Sequence, residues 1–308
     1  MFHERESKNS PSLFLAPLFM SLFSLTLVLV SAALHTSWNV LVREQRKLNM
    51  FMGISVVSLW LAPLLYALEW FAPPVLSVVP FHILWGGVFL AIYYYGMTRS
   101  YRGGDFTVAY PLARALPVLF VACAEVAMGN APTPLGWLGI GLIASGSILL
   151  PLQSLREWKL ARYWNQTTLW ILMAAFGIAT YTLIDQNALR QLPNGLSFAM
   201  RYGALESVVA AIFYWLTLRV TREDLGLPAR LADWKLPVLA TAFMFGSYSL
   251  ILWAFQSDDR ASYVIGLRQI SIVLGVVVGA YLFHERGARL RIPAAVVITA
   301  GVILLSLA

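Results

Sequence analysis

Charge is scarce in this chain. Only 12% of its 308 residues are Asp, Glu, Lys or Arg, while 59% are hydrophobic and the mean hydropathy is +0.71. A water-soluble domain carries about 25% charged residues, so a soluble globular protein is excluded. Cysteine is scarcer still. Cys123 stands alone in an apolar segment, which excludes an internal disulfide and a cysteine metal cluster. The four histidines, His3, His35, His82 and His284, are isolated from one another, and no serine sits in a glycine-flanked elbow. Neither a metal site nor hydrolase chemistry is therefore expected. His35 and His82 could clasp a haem only as a single pair with no second set behind it. No cofactor and no enzymatic activity are expected.

What the chain has instead is long apolar runs. Windows of about 20 residues, the length that crosses a bilayer as a helix, pick out runs near 20–42, 50–72, 78–98, 106–128 and 133–153. After a polar interval at 154–166 five more follow near 168–189, 196–218, 236–256, 261–283 and 290–307. A backbone in lipid must satisfy its own hydrogen bonds, so these runs are predicted to be helices. The expected fold is an all-α integral membrane protein of ten transmembrane helices. Residues 1–19 are a polar or interfacial N-terminal segment, 20–153 and 167–308 are two five-helix units, and 154–166 is a linker. The apolar stretch Leu13 to Leu34 exceeds the roughly 7 to 15 residues of a signal-peptide core and is read as a span.

The two units read as a repeat. Arg114 in VAYPLARALPVLF and Arg268 in ASYVIGLRQISIVLG lie 154 residues apart, and the same offset matches Tyr94 with Tyr248 and Asp105 with Asp259. With one residue of slip, GSILL at Gly146–Leu150 aligns with GVILL at Gly301–Leu305. Five spans is an odd number, so the second unit must enter the membrane from the opposite face and the repeats are inverted. Both termini then share one side. Fifteen Lys and Arg, among them Arg43, Arg102, Arg156, Arg219 and Arg286, fall in loops after odd-numbered spans, against four (Arg5, Lys8, Arg190, Arg260) on the other face. The positive-inside bias places those odd loops in the cytoplasm and the termini outside. The short basic clusters suit loops beside anionic lipid rather than nucleic acid.

Candidate functional residues are the polar ones that these spans carry inward. Arg114 and Arg268 each sit about nine residues past an aspartate, or ~13 Å into a ~30 Å core. Inverted repeats can bring the two to one midplane site, where a guanidinium needs a carboxylate, carbonyls or an anionic solute. Gln269 follows Arg268. Pro111 and Pro117 are expected to bend the fourth span beside Arg114. On the first span His35, Trp38 and Asn39 share one helical face, suited either to lining a cavity or to anchoring at the interface. Tyr94 and Tyr248 are the repeat-matched aromatics expected along a pathway. The internal carboxylates are Glu69, Glu125, Asp185 and Glu206. Glu206, deep in its span with Arg201 as the nearest charge in sequence, is the first candidate for proton coupling, with Glu125 and Asp185 as further coupling or gating acids, although Asp185, a few residues from the end of its span, reads equally as a solvated anchor.

The segments AALHTSWNVLVRE, GDFTVAYPLARALPVLF, GWLGIGLIASGSILL, ATYTLIDQNALR and DDRASYVIGLRQISIVLGVVVGAYLFHERGARLRIPAAVVITAGVILL, in this order and spacing, resemble the drug/metabolite transporter superfamily, specifically its ten-helix members with two EamA-type domains. The resemblance runs from about residue 22 to 307. It implies a carrier of small organic solutes acting as an exporter, with cytoplasmic termini, opposite to the charge count. It also implies a glutamate just before the last helix of each repeat. Glu285 in LFHERG matches it, whereas the first half reads AMGNAPTP, with Asn130 or Ala131 at that place and Glu125 one turn further inside. The expectation is thus a secondary transporter of an amino acid or metabolite in the plasma (bacterial inner) membrane, working by alternating access. A multidrug or cation efflux carrier, a channel and a receptor are the alternatives. Its expected partners are a small-molecule substrate, the lipid bilayer and a coupling proton, and a homodimer is compatible with the plan.

Overall fold

A computed structural model describes residues 21–43, 49–103, 106–149, 165–257, 260–282 and 288–308. Every regular element among them is helical: α1 (Leu22–Arg43), α2 (Met50–Phe71), α3 (Pro80–Gly103), α4 (Phe106–Ala127), α5 (Pro134–Leu149), α6 (Gln166–Gln191), α7 (Leu196–Val220), a 3-10 turn (Leu231–Trp234), α8 (Lys235–Phe255), α9 (Ala261–Leu267), α10 (Ile270–Leu282) and α11 (Ala288–Ser306). Helices α1, α2, α6, α7 and α8 with its leading turn are long and apolar enough to cross a membrane, and shorter apolar stretches lie in α4, α5, α9–α10 and α11. Two helix starts are set by asparagine. The Asn49 side chain accepts from Met52 N (3.2 Å) and that of Asn165 from Thr168 N (3.0 Å), each satisfying a backbone donor that has no partner inside the helix.

The most extensive packing joins α3 to α6, α5 to α11 and α1 to α8. Small residues make it possible. A Cβ built on Gly139 would lie 2.8 Å from Gly301 O, and one on Gly301 would lie 2.7 Å from Gly139 O, so α5 and α11 touch backbone to backbone. Gly96 and Gly177 do the same for α3 against α6. In lipid, where apolar side chains gain little by meeting each other, such close approach is a main source of helix association. Between α1 and α8 the contact is polar and reciprocal: Ser31 Oγ donates to Ser247 O (2.7 Å) and Ser247 Oγ to Ser31 O (2.9 Å).

The run read as a single span at 261–283 is interrupted. Between α9 and α10 the ladder tightens to three-residue steps, Gln269 N to Gly266 O (3.0 Å), Ser271 N to Arg268 O (3.0 Å) and Ile272 N to Gln269 O (2.8 Å). The Ile265 carbonyl, which loses its i+4 donor at this step, finds another, and a bond from α1 to the start of α10 ties the turn in place. Gln269 Nε2 donates to Ile265 O (3.0 Å) and Thr36 Oγ1 of α1 to Ser271 O (3.0 Å). Helix α4, where Pro111 and Pro117 suggested a bend, runs unbroken through both.

Candidate functional site

Arg268 is presented by that interruption. Its Nη2 lies 3.0 Å from His35 Nδ1 and donates to Ser247 Oγ (3.0 Å). Trp38 Nε1 also donates to His35 Nδ1 (3.0 Å). Arginine and tryptophan can only donate, so Nδ1 of His35 carries the lone pair. The site thus joins α1 to the α9–α10 turn through one imidazole nitrogen, and the turn to α8 through Ser247.

Two cavities meet at this point. The first is walled by His35 and Trp38 of α1, Tyr93 and Tyr94 of α3, Tyr181 of α6, Tyr248 of α8, and Arg268, with Ser58, Ser207 and Thr241 also in its wall. The second lies against α4, α6, α8 and α9, with Ala113, Pro117, Thr182, Ile265 and Gln269 in its wall. Tyr181, Tyr248 and Arg268 belong to both walls. The two tyrosine rings stand edge to face with centroids 6.1 Å apart, so these three side chains form the partition.

Behind Tyr248 lies a buried acidic cluster. Its hydroxyl bonds Asp185 Oδ2 and Glu206 Oε2, the latter at 2.7 Å, and Tyr202 Oη donates to Asp185 Oδ1 (2.9 Å). Asp185 and Glu206 are fully buried, and Glu206 Oε1 has no hydrogen-bond partner. That oxygen faces Gly86 of α3, where an added Cβ would lie 2.7 Å away. Arg201, the nearest charge in sequence, turns away from Glu206. It pairs with Glu69 and donates to Pro73 O (2.7 Å), while Glu69 Oε2 accepts from Val75 N and Leu76 N, each at 2.8 Å.

The remaining candidates divide by position. Tyr94, Tyr248, His35, Trp38 and Arg268 wall the first cavity, and Gln269 the second. Asn39 folds back on its own helix, donating to His35 O (2.6 Å). Glu125 accepts from Ser262 N (3.1 Å) and from the Ser262 hydroxyl, so it caps the start of α9 from the neighbouring helix. Arg114 lies on α4 one residue from Ala113 of the second cavity wall, but its side chain is outside the described residues, as are Asp105, Asp259 and Glu285. Tyr181, Tyr202 and Ser247 were not singled out in the sequence. A signal was present for the first two: Tyr181 precedes Asp185, and Tyr202 precedes Glu206, by four residues, the spacing that stacks side chains on one helical face. Among the described residues no group of three or more His, Cys, Asp and Glu could hold a metal ion.

No protein-family model and no curated protein compared with the chain matches it. Solved structures do match. One crystal structure superposes with a TM-score of 0.69 over 92% of this chain and 96% of its own, at 13% sequence identity. At that identity the likeness establishes a shared fold.

Proposed function

We propose that this protein is a secondary transporter of the ten-helix drug/metabolite type. It moves a small organic solute, such as an amino acid or metabolite, by alternating access in the export direction, driven by an ion gradient or by exchange. It belongs in this reading to a bacterial inner membrane, with both termini on one side and, by the loop charges, outside. The observation that carries the reading is the shared partition: two cavities bordered by different helices meet at Tyr181, Tyr248 and Arg268. A carrier needs one central site that either cavity can reach in turn, with interrupted helices supplying polar backbone at membrane depth. Arg268 sits at such an interruption.

The two-repeat plan is supported by the packing. With α9 and α10 taken as one interrupted span, the first helix of one repeat packs on the third of the other in both directions (α1 on α8, α6 on α3), and fifth packs on fifth (α5 on α11). The α5–α11 contact is antiparallel, since Gly139 meets Gly301 and Gly146 meets Ala294, as inverted repeats require.

Transport into vesicles holding the reconstituted protein tests the reading. Wild type is compared with Arg268→Ala and Tyr181→Phe over a panel of anionic, zwitterionic and cationic solutes. Flux of an anionic or zwitterionic solute that Arg268→Ala abolishes is the expected result. Preference for organic cations would favour the efflux alternative, and ion conductance without solute flux would replace the carrier with a channel.

A further inference from the structure

Tyr248 has one hydroxyl hydrogen, yet its oxygen stands within hydrogen-bond distance of two carboxylates. If both acids were charged, that single hydrogen would face two anions. Among the described residues no Lys or Arg pairs with either acid, because Arg201 is held by Glu69 and Arg268 by His35 and Ser247. Like charges confined this closely and away from water cannot both persist. A second hydrogen completes the arrangement: one carboxyl donates to the tyrosine oxygen while the tyrosine donates to the other. We propose that Asp185 and Glu206 hold a single proton between them through Tyr248, making this cluster a proton-binding site attached to the partition between the two cavities.

Tyr202 of α7 donates to Asp185 Oδ1, the two carboxyls stand within hydrogen-bond reach of each other, and Glu206 Oε1 lies against Gly86 of α3. Tyr94 of α3 and Tyr181 of α6 are neighbours of Glu206, and Tyr181 is also a neighbour of Asp185 and of Arg268. Loss of the proton to water in a cavity leaves two carboxylates and the one tyrosine hydrogen, so the pair must separate or Tyr248 must follow one partner. Either movement shifts a side chain that walls both cavities. This deepens the transport reading by naming the coupling ion, and it rests on that reading only for its consequence.

Infrared spectroscopy of the full chain in lipid nanodiscs tests the site directly, with the proton itself as probe. Wild type is prepared with the carboxyl carbon of either aspartate or glutamate isotopically labelled. The expected result near neutral pH is a protonated-carboxyl band that moves with both labels, because one proton serves both acids. The same band should change in Asp185→Asn, in Glu206→Gln and in the milder Tyr248→Phe. No protonated band, or one that answers to a single label, overturns the proposal, and the labelled wild type decides the matter even where a variant does not fold. A shared band without solute flux would overturn the carrier and leave the proton site standing. Flux without a shared band would do the reverse.

Discussion

Arg201 and Glu69 form the buried ion pair whose loss can be sized most directly. Both side chains are nearly enclosed, 7% and 10% exposed, so solvent screening is slight. Arg201→Met removes the charged bond to Glu69 and the donor to Pro73 O. Breaking a buried pair from one side costs about 3–5 kcal/mol. Glu69 would still accept from Val75 N and Leu76 N, so its carboxylate is not left bare and the lower end, about 3 kcal/mol, applies. Glu69→Gln keeps a side-chain acceptor and should cost less. A double-mutant cycle by equilibrium unfolding in mixed micelles is expected to give about 1–3 kcal/mol of coupling between the two positions.

The same cycle between Arg201 and Glu206 should give coupling within about 0.5 kcal/mol of zero, the level at which separate sites add. Five residues apart on a helix is about 140° of rotation, so the two side chains leave α7 in different directions. Strong coupling of Arg201 to Glu206, or none to Glu69, would refute the assignment of Arg201 to the α2–α3 connection and return it to the acidic cluster.

Two further outcomes follow from the packing. Gly139→Leu and Gly301→Leu should each destabilise the protein by about 1–3 kcal/mol through overpacking, because each Cβ would meet the facing backbone oxygen, whereas Gly141→Leu, with nothing within 4 Å of its Cβ position, should be near neutral; thermal unfolding of the three variants checks this. Glu125→Ala removes both bonds to Ser262 and should cost about 0.5–2 kcal/mol, as loss of a helix cap does, with faster amide exchange confined to residues 261–267.

Much of the helical plan was legible because long apolar runs leave few alternatives in lipid, and Arg268 was legible because a guanidinium in such a run must have a purpose. Its setting was not. Neither Arg268 nor Gln269 is a helix breaker, and the interruption is held by Gln269 Nε2 and by Thr36 from a distant helix, contacts that no local pattern carries. The prolines of α4, by contrast, sit in a helix that runs unbroken through both: propensity reports what a helix tolerates, while neighbours decide where it breaks. Glu206 was visible as a buried acid, whereas Asp185, a few residues from the end of its run, read equally well as a solvated anchor and is in fact fully buried; their meeting depends on how α6, α7 and α8 pack. Glu125, read as a coupling acid from its depth, has its oxygens on a helix start that becomes its neighbour only in the folded chain.

The acidic pair also breaks the symmetry that the proposed repeat implies. At the offset of 154 that matches Tyr94 with Tyr248 and Arg114 with Arg268, Asp185 corresponds to Ser31 and Glu206 to Met52. Ser31 spends its hydroxyl on Ser247, a structural bond between α1 and α8, and Met52 offers no proton. Duplicated tyrosines and arginines can shape two equivalent halves, yet a carrier that ties one proton to one solute needs the proton held in one place. Under the proposed function, both acids on helices of the second half, against the tyrosine of α8 that also walls both cavities, would meet that need with a single pair of side chains. Introducing acids at Ser31 and Met52 would not create a second such site, because Ser31 faces Ser247 rather than Tyr94.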